Sequence, residues 1–187
     1  MSTEQRPDAA AQLVGIHAMI TQALNGAIER SEYFAQTGFH DAETQQALVG
    51  YMGCFGGMLH AHHLSEDEFV FPYVRDQMPD GPFDTLIAQH QEMEPLLAEV
   101  RATCGTLAQN GQGAEASQAL HGTLTRLAAL WHPHIQIEER QFSREALDAL
   151  WDAEQEAKFG RALGEYVAQH TDPEMMQACQ AILFSAG

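Results

Sequence analysis

The chain has 187 residues, of which 45% are hydrophobic and 19% are charged, and its formal net charge is −17. This hydrophobic content is typical of a folded domain with a buried core and excludes a disordered chain. A strongly acidic surface repels phosphate groups, so neither nucleic acid nor an anionic membrane surface is an expected partner. The sequence also lacks an apolar run near the roughly 20 residues that a membrane-spanning helix needs.

Turn signals divide the chain into four long helices followed by two shorter ones. The predicted bounds are about 8–36, 42–78, 83–110 and 115–142 for the long helices, and 144–170 and 174–183 for the shorter ones. Sustained strand-like alternation is missing from the sequence. The sequence therefore predicts an all-α protein with a single domain over 1–187. Its core is an up-and-down four-helix bundle over about 8–145, and additional C-terminal helices over about 146–187 cap the bundle.

The second and fourth helices carry ionisable residues inside otherwise apolar stripes. Residues four apart on a helix share one face, and the pairs His62–Glu66 and His134–Glu138 have this spacing. The stripe of the second helix is Leu48, Met52, Phe55, Leu59, His62, Glu66, Phe69 and Tyr73. The stripe of the fourth helix is Leu120, Leu124, Leu127, Trp131, His134 and Glu138. Because buried ionisable groups without partners are costly, a metal ion bound between the helices is expected.

A weak internal repeat relates the two halves of the bundle. The two His–Glu pairs are separated by 72 residues, and the lone histidines of the first and third helices, His17 and His90, by 73. Two helical hairpins packed about a pseudo-twofold axis would bring four histidines to one central point. Bundle cores build dinuclear metal sites in this way.

The predicted metal ligands are imidazoles and carboxylates, with Glu94 as an additional member. They are His17, His62, Glu66, His90, Glu94, His134 and Glu138. Such donors suit iron, manganese or zinc, and the absence of cysteine from the set argues against a soft metal. Their number exceeds the four ligands of a tetrahedral zinc ion. It fits two octahedral ions that keep open positions for a small molecule.

Three further histidines, His60, His63 and His132, lie off the apolar stripes. We expect them at the surface or beside the ligands, with the alternative that one of them replaces a predicted ligand. Pro133 stands between His132 and His134. The helical periodicity continues through this proline, and the alternative is a true break of the fourth helix.

The three cysteines, Cys54, Cys104 and Cys179, are an odd number of widely spaced residues without a CxxC motif. They are expected to be reduced thiols with a packing role. The N-terminal segment is polar and does not resemble a secretory signal. Together these features predict a cytoplasmic protein.

The stretch from His62 to Pro72, HHLSEDEFVFP, resembles the signature of the hemerythrin-like, HHE cation-binding family. That signature is a histidine, three residues, two acids, and then an aromatic residue and a proline. The stretch 134–139, HIQIEE, is similar to the family's fourth-helix motif, and His17 and His90 stand where the first and third helices supply histidines. The resemblance covers about residues 10–145. It implies a bundle around two non-haem iron ions, oxo- or hydroxo-bridged, that bind dioxygen or a related oxidant such as nitric oxide or peroxide.

One departure from the family pattern affects the expected function. Oxygen-carrying members have a second histidine four residues after that of the third helix, and this chain has Glu94 there. A carboxylate favours ferric iron, so sensing or redox turnover is favoured over oxygen transport. One interpretation is a protein that captures or senses a small oxidant. The alternative is a di-iron oxidase, oxygenase or peroxide-decomposing enzyme that acts on a small organic substrate. A bundle with one zinc ion, or with no metal, is the third.

Overall fold

The computed structural model describes residues 8–110 and 113–184, and all regular secondary structure in these ranges is helical. Residues 111 and 112 of the predicted turn lie outside the described residues. The elements in chain order are α1 (Ala9–Thr37), α2 (Ala42–Ser65), a π-helical turn (Glu66–Val70), α3 (Phe71–Arg75), α4 (Phe83–Asn110), α5 (Gly113–Gln141), α6 (Arg144–Leu150), α7 (Ala153–His170) and α8 (Pro173–Phe184). The prediction of an all-α protein is confirmed.

The four long helices form the predicted up-and-down bundle. α1 packs against α2 and α5, and α4 packs against the same two helices, so the four close into a ring. Their inward residues follow the spacing of three and four that places side chains on one helix face. Fully or almost fully buried members of this core include Ile20, Leu24, Met52, Phe55, Leu59, Leu97, Leu120, Leu124, Leu127 and Trp131.

Local side-chain contacts fix where the first two helices begin. The Asp8 carboxylate accepts a hydrogen bond from the backbone N–H of Ala11 (2.9 Å), and Asp41 accepts one from Thr44 (2.7 Å). Each bond satisfies an N–H group that has no partner within the first helical turn. Gly38 follows α1 with φ of 68°, in the left-handed region that glycine enters without strain. The chain can therefore reverse between α1 and α2.

The second predicted helix is wrong in one respect, because it is not α-helical throughout. The π-helical turn begins at Glu66 and contains one more residue per turn than an α-helix would. The next buried residue after Glu66 is therefore Phe71, followed by Val74, while the predicted stripe members Phe69 and Tyr73 are only partly buried. Because of this extra residue, a different set of side chains faces the core after the π-helical turn than a continuous α-helix would present.

The two long helices with internal prolines are continuous. α4 contains Pro95 and α5 contains Pro133, and neither helix is divided there. The alternative of a break at Pro133 is therefore wrong. Packing of the apolar faces on both sides of the proline offsets the hydrogen bond that the missing N–H would have made.

The C-terminal helices pack against the bundle. α8 lies on α2, and a disulfide between Cys54 and Cys179 joins them. The expectation of reduced thiols is wrong for these two cysteines, because α8 packs on the face of α2 that carries Cys54 and so brings Cys179 next to it. Cys104 is a free, buried thiol, and burial raises its pKa to about 11. Its packing role is as expected.

A second apolar cluster closes one end of the bundle beside α6 and α7. Its buried members include Phe71, Val74, Phe83, Phe142, Leu147, Trp151 and Phe159. The buried Glu156 carboxylate accepts hydrogen bonds from Arg144 (2.6 Å) and from the backbone N–H of Ala9 (2.9 Å), which ties α7 to the start of α1. Within the described ranges, none of the helices is both long and apolar enough to cross a membrane.

Candidate metal centre

The four long helices and the π-helical turn aim imidazoles and carboxylates at a shared interior. α1 supplies His17, α2 supplies His62, and α4 supplies His90. α5 supplies two residues, and Glu66 is the first residue of the π-helical turn. The buried members of this set are His17, His62, Glu66, His90, His134 and Glu138. These are six of the seven residues that the sequence predicts as ligands.

The donor atoms lie close enough to hold metal ions at two neighbouring positions. One group is His17, His62, Glu66 and Glu138, and the other is Glu66, His90, His134 and Glu138. Within each group the candidate ligand atoms all lie within 4.8 Å of one another. Both groups contain both carboxylates, so the two glutamates stand between the positions, as bridging carboxylates do in dinuclear bundle sites.

The glutamate of α5 joins the two halves of the centre. Its Oε2 lies 3.1 Å from Nε2 of His17 on α1 and 3.4 Å from Nε2 of His134 one turn earlier on α5. Glu66 Oε2 has the matching place, 3.4 Å from His62 Nε2 and 3.6 Å from His90 Nε2. Each carboxylate thus lies between a histidine one helical turn earlier in the chain and a histidine of the other hairpin.

Three of the imidazoles are oriented by an acceptor on their Nδ1 atoms. Nδ1 of His17 is 3.0 Å from Glu139 Oε1, and Nδ1 of His90 is 2.8 Å from Asp67 Oδ1. Nδ1 of His134 is 2.9 Å from the side-chain oxygen of Gln89. When Nδ1–H donates to such an acceptor, Nε2 carries the lone pair and faces the centre.

Electrostatics inside the cluster favour a bound cation. Burial lowers the pKa of His62 to about 3, so this imidazole is neutral. Burial and the nearby charge of Glu138 raise the pKa of Glu66 well above its usual value. Burial would also raise the pKa of Glu138, but the contacts of that residue with His134 and His17 hold it below its usual value. A bound cation would offset the repulsion between the two carboxylates, and a neutral imidazole is the form in which histidine binds a metal ion.

Several buried polar atoms in the cluster also need a partner. Although some of these atoms lie close to one another, hydrogen bonds of good geometry are missing, within the described part of the chain, for His17 Nε2, His62 Nε2, both ring nitrogens of His63, Glu66 Oε2 and both carboxylate oxygens of Glu138. Leaving so many buried donors and acceptors unpaired is costly. The residues therefore fit a metal centre.

Residues 8–146 match the family model of the hemerythrin HHE cation-binding domain. The chain belongs to this family. The match extends over the whole four-helix bundle and includes both His–Glu pairs that the sequence analysis selected. Neither the search of curated proteins nor the search of solved structures returned a significant match.

Glu94 does not join the centre of this hemerythrin-like domain. Its side chain is partly exposed and lies 3.0 Å from Nδ1 of His60 and 4.0 Å from Arg101. The buried face of α4 is formed by Leu86, His90, Met93, Leu97 and Val100, with steps of four and three. Met93 therefore takes the inward position one turn after His90, and Glu94 is rotated away from the core. The structure therefore does not bring Glu94, the predicted seventh ligand, together with the other six residues.

His63 lies beside the candidate ligands, which is one of the placements that the sequence analysis left open. It is buried, and its ring stacks on that of His90 with centroids 4.0 Å apart. Its ring nitrogens form a third close group with those of His90 and His134. The signal was present in the sequence, because Met52, Gly56, Leu59 and His63 form a second stripe with steps of four and three. His60 and His132 are exposed, as expected.

A surface groove runs beside the centre along α1 and has a volume of about 790 Å³. It reaches the outer side of His17 and its partner Glu139. Leu183 and Phe184 of α8 line another part of it, and Arg30 lies over the ring of Tyr51 at 4.4 Å. The groove thus combines apolar and charged surface next to a candidate ligand.

Proposed function

We propose that this protein holds two non-haem iron ions in the centre and binds a small oxidant there: dioxygen, nitric oxide or peroxide. The observation that carries the proposal is the pair of four-residue donor groups that share Glu66 and Glu138. A single ion would not need two such groups, and a tetrahedral zinc ion would be satisfied by one. Nitrogen and carboxylate donors without sulfur suit iron.

The protein's own residues would hold and shield the ions. Asp67, Glu139 and Gln89 fix the imidazole orientation. The aromatic ring of Trp131 contacts that of His17 edge-on at 5.5 Å, and the ring of Phe71 stacks near His90 at 5.9 Å. These buried rings exclude water from the ligands. Bound iron would supply the change of oxidation state and the open coordination positions.

The experiment that tests this function is metal analysis of the purified protein together with its optical spectrum. We expect two irons per chain and an iron-dependent absorption band in the near-ultraviolet that changes when dioxygen, nitric oxide or peroxide is added. A colourless protein with one zinc per chain would contradict the proposal.

Variants locate the iron within the chain. His62→Ala and Glu66→Ala each remove a donor, and we expect them to lose most of the bound iron. His121→Ala and His60→Ala are matched controls, because Nδ1 of His121 lies 3.4 Å from the backbone oxygen of Ile28 on α1, away from the centre, and His60 is exposed. Equal iron loss in the controls would show that the ligands are assigned incorrectly.

An enzymatic function is the second candidate, and the groove beside His17 is the observation that favours it. An oxidase, oxygenase or peroxide-decomposing enzyme needs a place for a small organic substrate close to the iron, and this groove borders a ligand. Multiple turnovers of peroxide or dioxygen by the iron-loaded protein with a reductant would support an enzyme. Stoichiometric, reversible binding without turnover would support capture or sensing.

A further inference from the structure

We propose that His63 is a further metal ligand and forms, with His90 and His134, a three-histidine set around one of the two ions. The inference rests on the proposed function, since it needs a centre that binds two ions. It is carried by the position and surroundings of the His63 side chain.

The first argument is the burial of an imidazole without partners. The side chain is almost completely buried, with 3% of its surface exposed. Among the described residues, neither Nδ1 nor Nε2 of His63 has a hydrogen-bond partner. A histidine that serves only to pack would leave two polar atoms unsatisfied, at a cost that a phenyl or leucyl group in the same place would avoid. A metal ion satisfies one of them directly.

The second argument is geometric. A ring nitrogen of His63 lies within 4.8 Å of ring nitrogens of both His90 and His134. The His63 ring centroid is 4.0 Å from that of His90 and 5.8 Å from that of His134. Its chain neighbour His62 belongs instead to the group with His17. Adjacent residues on α2 therefore serve the two ions separately, because successive side chains of a helix point about 100° apart.

The consequence is that the two ions are unequal. His90 and His134 belong both to the group with His63 and to the group with the two glutamates, so the ion beside them would have three histidines within reach, whereas the other would have His17 and His62 with the same glutamates. An octahedral ion has six positions, so the His17 side keeps more of them open.

The test uses His63→Phe, which keeps an aromatic ring for stacking and removes both nitrogens. Fe(II) is added without oxygen to the metal-free wild type and variant, and bound iron is measured after a brief chelator challenge. We expect two irons in the wild type and about one in the variant. The matched control is His60→Phe, which changes an exposed histidine on the same helix and keeps two.

A second measurement separates a ligand from a packing residue. The metal-free His63→Phe protein should unfold at a higher temperature than the metal-free wild type, because two unsatisfied buried atoms are removed. Its gain in unfolding temperature on adding Fe(II) should be smaller. His63→Leu undergoes the same tests, in case the larger ring does not fit. A wild type without an iron pair would contradict the proposed function itself. Two irons and an unchanged temperature gain in both variants would overturn only the role of His63.

Discussion

The orientation of individual side chains determines what this centre can bind. Asp67 and Glu139 directly follow the two glutamates of the centre and accept from the outer nitrogens of His90 and His17. In each pair of successive acidic residues, the first lies inside the cluster and the second holds an imidazole in place. Such outer partners fix the tautomer and raise the basicity of the ligand.

Removal of one outer partner should weaken iron binding without abolishing it. Asp67→Ala leaves His90 free to rotate, and we expect an affinity for iron about 10- to 100-fold lower. The measurement is competition with a chelator of known affinity. Glu94→Ala is the matched control, because Glu94 pairs with the exposed side chains of His60 and Arg101, and the affinity of this variant for iron should equal that of the wild type. An equal loss of affinity in both variants would mean that the removed negative charge, and not the orientation of the His90 ring, sets the affinity for iron.

The metal-free protein should lose stability in acid. Burial holds the pKa of folded His62 at about 3, whereas an unfolded histidine titrates near 6.5. The unfolded state therefore binds the proton first, and the free energy of unfolding falls as the pH drops from about 6.5 toward about 3. Urea unfolding of the metal-free protein across this range measures the slope. His62→Phe should give a shallower slope, and an identical slope would contradict the assignment.

At the scale of helices, the main feature is α2, which is followed by the π-helical turn and packed against by α8. The π-helical turn starts at Glu66, so His62 and Glu66 remain one helical turn apart and both reach the centre. π-helical turns occur often at functional sites. On another face, α8 covers α2 and is held there by the disulfide between Cys54 and Cys179.

Loss of this disulfide should destabilise the protein. It closes a loop of 125 residues, and long loops lose the most chain entropy when they are cross-linked. We expect Cys54→Ser to lower the free energy of unfolding by about 2–4 kcal/mol, measured by urea unfolding in the absence of reductant. With reductant, the wild type and the variant should become similar. Cys104→Ala changes the free thiol, and reductant should still lower the free energy of unfolding of this variant. A wild type whose unfolding does not respond to reductant would contradict the prediction.

At the scale of the whole molecule, the centre links all four long helices through buried polar groups. Without a cation, the core of the bundle would hold buried carboxylates and imidazoles whose polar atoms lack hydrogen bonds of good geometry. Metal binding and folding are coupled in such a protein, because the donors come together only in the folded chain.

Chelation of the metal should therefore lower the unfolding temperature. An ion present at about 100 times its dissociation constant stabilises the folded state by about 2.7 kcal/mol. For a chain of this size that corresponds to roughly 5–10 °C. Differential scanning calorimetry of the iron-loaded and the chelated protein checks this. His62→Ala should show little difference between the two conditions, and an equally large difference in that variant would place the stabilising metal elsewhere.

The sequence by itself determined the helices and six of the buried centre residues. Helical periodicity and turn signals are local, so the stripes that carry His62, Glu66, His134 and Glu138 could be read without knowing the neighbours. The internal repeat then paired the two halves. Family membership follows from the same residues, since the match covers 8–146.

Only the tertiary structure decided which neighbour of a stripe faces inward. A change of one position rotates a side chain by about 100°, and the packing of the other helices selects the rotation. That selection turned Glu94 outward behind Met93 and turned His63 inward beside His90. The pairing of Cys54 with Cys179 likewise depends on where α8 returns across α2. These contacts join residues far apart in the chain, so local periodicity by itself does not select among the neighbouring positions that could face inward.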